Sequence, residues 1–105
     1  MGRFRRVNDT AVRVEELITS ALGLAAVVGY QQVTREAIAE CCGVSCGTIS
    51  RYFGTMTNMR RTLMRQAVTR GVVPIIAQGL AAGDQHARAA DQALKSQALE
   101  YLANS

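Results

Sequence analysis

Between Gly43 and Gly54 the chain carries side chains suited to recognition rather than reaction. Ser45, Cys46, Gly47, Thr48, Ser50 and Arg51 alternate with Val44, Ile49 and Tyr52, and the latter three fall at the spacing of one buried helical stripe. The residues left on the opposite side are small or hydrogen-bonding. Arg51 has the planar fork that meets guanine O6 and N7 in two bonds, worth about 1–3 kcal/mol of discrimination. Thr48 suits a thymine methyl or a phosphate, and Gly47 lets a helix lie close to a sugar–phosphate edge. Gly43 stands where two helices must reverse direction, a position that favours a left-handed residue and hence glycine. Residues 35–54 therefore predict a helix-turn-helix, with Ile38 and Ala39 of its first helix pressing on the second. Such a second helix, apolar on one side and polar on the other, fits a DNA major groove.

Covalent and acid–base chemistry find little to work with. General acid–base or nucleophilic catalysis needs converging titratable groups. The chain has eight carboxylates, scattered along it, and a single histidine, His86. Glu15 and Glu16 are adjacent on a helix and diverge. No glycine-rich phosphate loop precedes a helix. Cys41, Cys42 and Cys46 cluster, but a tetrahedral zinc site takes four donors, usually in spaced pairs, and adjacent cysteines suit neither a disulfide nor a shared metal. The expectation is three reduced thiols, with Cys42 filling a small niche beside the turn and Cys46 exposed on the second helix of the motif. Neither an enzyme nor a metal or cofactor protein is expected.

A chain of 105 residues makes one domain with one modest core. No apolar run approaches the roughly 18 residues of a membrane span, and no signal-peptide pattern follows the arginines at the start, so a cytoplasmic protein is expected. The net charge of +4 is unevenly placed. Residues 1–71 hold ten basic against five acidic side chains, and residues 72–105 hold two against three. Positive charge thus lies on the segment with the motif, and eleven of the twelve basic residues are arginine, suited to bidentate phosphate contacts.

The elements that position these residues are all helical. A flexible basic arm, residues 1–9, carries Arg3, Arg5 and Arg6, and Asp9 or Thr10 is placed to cap a first helix. That helix presents Val14, Leu17, Ile18, Ala21, Leu22, Ala25 and Val28 on one face and ends at Gly29. Thr34 caps the second helix, where Val33 and Ile38 form a hydrophobic staple. The device repeats with Ser45 as cap and Val44 paired with Ile49. A fourth helix starts near Thr55, presents Met59, Leu63, Ala67 and Val68, and stops at Gly71; Met56, Met59 and Met64 read as core filler. Pro74 suits the first turn of a fifth helix to about Ala82, which Gly79 weakens. Asp84 is placed to cap a final helix to about Ala103 with an apolar face of Ala87, Ala90, Leu94, Ala98, Tyr101 and Leu102. The fold expected is all-α: a three-helix helix-turn-helix unit with a fourth helix (residues 10–71) and a short helical tail (72–105).

From Glu15 to Leu63 the chain resembles the N-terminal DNA-binding domain of the TetR family of bacterial repressors. The resemblance rests on Ile18, Ala21, Leu22, Gly29-Tyr30, Val33-Thr34, Ile38-Ala39-Glu40, Cys42-Gly43-Val44-Ser45, Gly47-Thr48-Ile49 and Tyr52-Phe53. It implies binding to double-stranded DNA. The family usually has a phosphate-contacting Tyr where Ser50 stands and a Lys where Met56 stands; Arg51, Arg60, Arg61 and the arm arginines are the candidates to replace them. Family members also carry a long ligand-binding and dimerisation domain, for which the residues after Gly71 are too few, since a pocket of about 300 Å³ or more must be enclosed. No small-molecule inducer is expected. The apolar tail is instead expected to find its partner in a second copy, through Leu94, Ala98, Tyr101 and Leu102.

The function expected is a dimeric, sequence-specific transcription repressor. Its DNA-contacting set is Arg3, Arg5, Arg6, Thr34, Ser45, Cys46, Gly47, Thr48, Ser50, Arg51, Tyr52 and Arg60. The helix N-termini at Thr34 and Ser45 suit phosphates as well as their own caps. The alternative keeps the fold and changes the partner: a protein-binding module acting on another regulator, with the apolar tail as its contact surface.

Overall fold

The computed structural model describes residues 9–104, with side chains from Arg13 onward. Seven helices and no strand occur among them: α1 (Asp9–Val28), α2 (Arg35–Cys42), α3 (Cys46–Phe53), α4 (Met56–Arg70), α5 (Val73–Ala82), α6 (Gln85–Arg88) and α7 (Gln92–Ala103). No helix among the described residues is long and apolar enough to cross a membrane. The arm, with Arg3, Arg5 and Arg6, and the side chains expected to cap α1 lie outside the described residues.

Helices α2, α3 and α4 are each started by a side chain that accepts an otherwise orphan backbone N–H. Thr34 Oγ1 accepts from the Ala37 N–H at 3.1 Å, Ser45 Oγ from Thr48 at 3.2 Å, and Thr55 Oγ1 from Asn58 at 3.1 Å. Pro74 occupies the first turn of α5, where its missing N–H costs nothing. The core is one cluster. Leu17, Ile18, Ala21, Leu22 and Ala25 of α1 meet Ile38 and Ala39 of α2, Ile49 and Phe53 of α3, and Met59, Leu63, Met64 and Ala67 of α4. Ile75, Ile76 and Ala77 of α5 continue it into the tail. The methionines at 59 and 64 are fully buried, as core filler should be.

Two salt-linked side chains tie α1 to α4. Arg70 donates Nη1 to Glu15 Oε2 at 2.8 Å and Nη2 to Glu15 Oε1 at 3.0 Å, a bidentate pair. These hydrogen bonds, helped by the Arg70 charge, hold the Glu15 carboxyl below its ordinary range despite the opposing effect of desolvation.

The tail departs from expectation in three ways. First, the single helix expected from Asp84 to Ala103 is broken into α6 and α7. Asp84 Oδ1 caps only the four-residue α6, accepting from His86 at 2.8 Å. Asp91 caps α7 separately, accepting from the Leu94 N–H at 3.1 Å. Lys95 Nζ donates to the Arg88 carbonyl at 3.1 Å, taking up an acceptor freed by the break. Second, Gly79 is not a weak point in α5 but a contact. A Cβ built there would lie 2.6 Å from Ala87 Cβ and 2.6 Å from Met64 Cε, so α4, α5 and α6 meet at the missing side chain. Third, the tail's apolar face has a partner in its own chain, because α7 lies along α5 in the most extensive helix pairing of the fold. At the end of α1 Val28, expected in the core, is exposed together with Val27.

Gly79→Ala is expected to destabilise the fold by about 1–3 kcal/mol, as overpacking does, measured as a lower urea midpoint; an unchanged midpoint would refute the close approach. Glu15→Gln should matter most near neutral pH. A depressed carboxyl pKa adds stability that is present above the unfolded-state value near 4.5 and is lost as pH falls through the lower folded value. The stability difference between parent and variant should therefore shrink on acidification through that window, as read by urea unfolding at a series of pH values.

Candidate nucleic-acid interface

The turn between α2 and α3 follows from one backbone conformation. Gly43 adopts φ 68° and ψ 35°, the left-handed region that a Cβ disfavours, and its N–H bonds back to the Ala39 carbonyl. The Val44 N–H reaches the same carbonyl at 3.1 Å. Ser45 then leaves the turn extended and caps α3, and its Oγ lies 3.2 Å from Thr48 Oγ1. Ile49 and Phe53 anchor α3 in the core.

Phe53, not Tyr52, is the aromatic that fills the core. Tyr52, expected on the buried stripe, is 40% exposed and packs edge-on against Phe53 with ring centroids 4.8 Å apart. That outward position suits its place in the candidate contact set, whereas its spacing had assigned it to the buried side. Val44 is half-buried against the core.

The outward side of α3 carries Cys46, Gly47 and Arg51, all exposed, with Ser50 half-buried among them. At helical spacing Gly47, Ser50 and Arg51 adjoin one another on this face. Exposed Ser45 and half-buried Thr48 mark its N-terminal edge, and Thr34, exposed, marks the N-terminus of α2. All of these residues are at least partly open to solvent, and Thr34 and Ser45 stand at helix N-termini, where backbone N–H groups favour anions. The surface also includes a residue that spacing did not single out. Arg35, the first residue of α2, donates Nη1 to Ser50 Oγ at 2.8 Å. Fifteen residues separate the two in sequence, and only the folded turn brings them together.

Arg60 is placed differently from Arg51. It is half-buried, and its Nε is shielded from solvent without a hydrogen-bond partner among the described residues. Its charge bears on Tyr30, favouring the ionised phenol, while burial and the Asp84 carboxylate outweigh it and push the phenol above its ordinary value. Arg61, one residue on, is exposed. Met56, where a lysine would have offered charge, is half-buried against the core.

Tyr30 joins this unit to the tail, and sequence spacing gave no hint of it. Its N–H donates to Gln78 Oε1 at 2.7 Å, Gln78 Nε2 donates to the Ala25 carbonyl at 2.9 Å, and the phenol donates to Asp84 Oδ2 at 3.2 Å. Of the four tail residues expected at a subunit contact, Ala98 is fully buried in its own chain, and Leu94 and Leu102 pack on the core. Tyr101 is 47% exposed, beside Leu99 at 55%. All three cysteines are free thiols, two exposed and Cys42 half-buried near the Glu16 carbonyl. No group of three or more potential metal ligands occurs among the described residues.

No curated protein and no solved structure matches the chain. A family model does: that of bacterial regulatory proteins of the tetR family matches residues 17–63, from the middle of α1 to the middle of α4. The matched segment contains the whole α2–turn–α3 unit and the α1 and α4 faces that enclose it. Residues 17–63, somewhat less than half of the chain, are thus similar to the helix-turn-helix domain of bacterial regulatory proteins of the tetR family.

Proposed function

We propose that the protein is a sequence-specific DNA-binding transcription regulator, a homodimeric repressor that works in the cytoplasm by occluding a promoter. The observation that carries this reading is the outward polar face of α3, with Cys46, Gly47 and Arg51 exposed while Ile49 and Phe53 hold the opposite face in the core. Inserted in the major groove, Arg51 contacts guanine, Ser50 and Thr48 contact bases or phosphate, and the N-termini of α2 and α3 receive phosphates through Thr34 and Ser45. Arg61 supplies a backbone contact from α4, with the arm arginines as further candidates.

Dimerisation is supported by Leu99 and Tyr101, large apolar side chains left uncovered on α7. A two-fold dimer reads two half-sites about 34–36 Å apart, one helical turn, or a multiple of it. Control without a small-molecule inducer is supported by the tight junction of α4, α5 and α6, where Gly79 leaves no room even for a methyl group.

Selection from a random duplex pool should return a symmetric site, and affinity for it should fall steeply with salt, since several phosphate contacts release counterions. Arg51→Ala should retain the fold and the salt dependence but lose discrimination at one base pair in each half-site, by about 1–3 kcal/mol. Absence of any retained duplex at about 50 mM salt, where electrostatic binding is strong, would overturn the DNA reading in favour of a protein-binding module.

A further inference from the structure

We propose that Arg35 and Ser50 form a single reading unit, in which Arg35 fixes the Ser50 hydroxyl as a hydrogen-bond donor aimed at an acceptor atom on the DNA. The inference rests on the DNA-binding reading above and adds a specificity determinant to it. Its basis is the 2.8 Å bond from Arg35 Nη1 to Ser50 Oγ.

A serine hydroxyl has one proton to donate and two lone pairs to accept with, and its proton ordinarily rotates to suit its surroundings. Here one lone pair is occupied by a guanidinium. The positive charge beside the oxygen turns the O–H proton away from it, so the hydroxyl presents its proton to the other side. A serine inside a helix often spends that proton on the carbonyl four residues back. Ser50 makes no such bond to Cys46, and its hydroxyl proton has no acceptor among the described residues. The proton is therefore available on the face of α3 formed with Gly47 and Arg51. The absence of a Gly47 side chain leaves the approach to Ser50 open from the N-terminal side, where nothing but Ser45 Oγ lies within 4 Å of a Cβ placed there.

A hydroxyl held as a donor discriminates. With one lone pair taken, it favours acceptors such as guanine O6 or N7, adenine N7 or thymine O4 over the cytosine and adenine amino groups, which find only its remaining lone pair. A freely rotating serine would tolerate both. Arg35 spends one of its five donors on this task, leaving others at the N-terminus of α2 for phosphate. Arg35 is in this scheme a positioning residue, and Ser50 the group that touches the base.

The test is a mutant cycle read by the base preference of selected sites and by affinity for the parent's site. Ser50→Ala should reduce preference at one base pair roughly tenfold, the order of one hydrogen bond. Arg35→Met should reduce preference at the same base pair by a similar factor, and the double variant should lose no more preference than either single one. Ser50→Thr, which keeps the hydroxyl, should retain the preference. Circular dichroism melting would confirm that each variant is folded. If Arg35→Met lowers affinity for all duplexes alike and leaves the preference intact, the proposal is overturned and Arg35 is a phosphate contact only. Losses that multiply in the double variant would overturn it as well. Failure of the parent protein to select any sequence would instead count against the DNA-binding reading and remove this one with it.

Discussion

An eight-residue helix does not hold itself together in water, because isolated helices shorter than about 12–15 residues are marginal. Helix α3 has eight residues, and the outward surface depends on how that deficit is met. Its stability is borrowed: Ile49 and Phe53 are buried among α1, α2 and α4, Ser45 caps its start, and the Gly54 N–H closes its end on the Ser50 carbonyl at 2.8 Å. All of these interactions lie at the two ends or on the inner face. The outer face is consequently left to small polar residues that contribute little to folding, and those are the residues free to bind something else. The fully buried isoleucines 38 and 49, on either side of the left-handed turn at Gly43, fix the relation of α3 to α2. A β-branched residue in that turn would strain the backbone on which the whole outward surface depends.

The tail bears on the same surface through a chain of contacts rather than through bulk. Gln78 on α5 holds both the Ala25 carbonyl and the Tyr30 N–H, so the exit of α1 is fixed by a side chain from the tail. Asp84 receives the Tyr30 phenol while also capping α6. Arg70 binds Glu15 at the other end of α1. Helix α1 is thus pinned near both ends, and α2 packs on it directly. The close meeting of α4, α5 and α6 at Gly79 makes the tail an extension of the same core.

Local chemistry made the motif half of the chain legible. Thr34 and Ser45 cap as their positions predict, the fourth helix starts beside Thr55 as expected, Gly43 and Gly71 terminate helices in left-handed conformations, and the apolar periodicity of α1 and α4 marks most of what is buried. The rest was not legible because two local signals of equal strength competed or because the cause was tertiary. Tyr52 and Phe53 are adjacent aromatics, and only the rotation of α3 imposed by Ile49 decides which enters the core. The α6–α7 break has no glycine or proline to announce it. Its one local sign is Asp91, three residues before Leu94, a capping arrangement that the helical periodicity of the alanines obscured. Gly79 looks like a poor helix former until its neighbours are seen. Arg35–Ser50 and Tyr30–Gln78–Asp84 join residues far apart in the chain, and no spacing rule in a single sequence reports such pairs.

Where the partner lies is measured directly by nuclear magnetic resonance of the ¹⁵N-labelled protein titrated with a selected duplex. The amides of Cys46, Gly47, Ser50 and Arg51 and those at the start of α2 should shift together, while the amides of α7 away from the motif stay in place. Shifts confined to α7, or a spectrum that the duplex leaves unchanged, would contradict the assignment of the outward face of α3 to DNA.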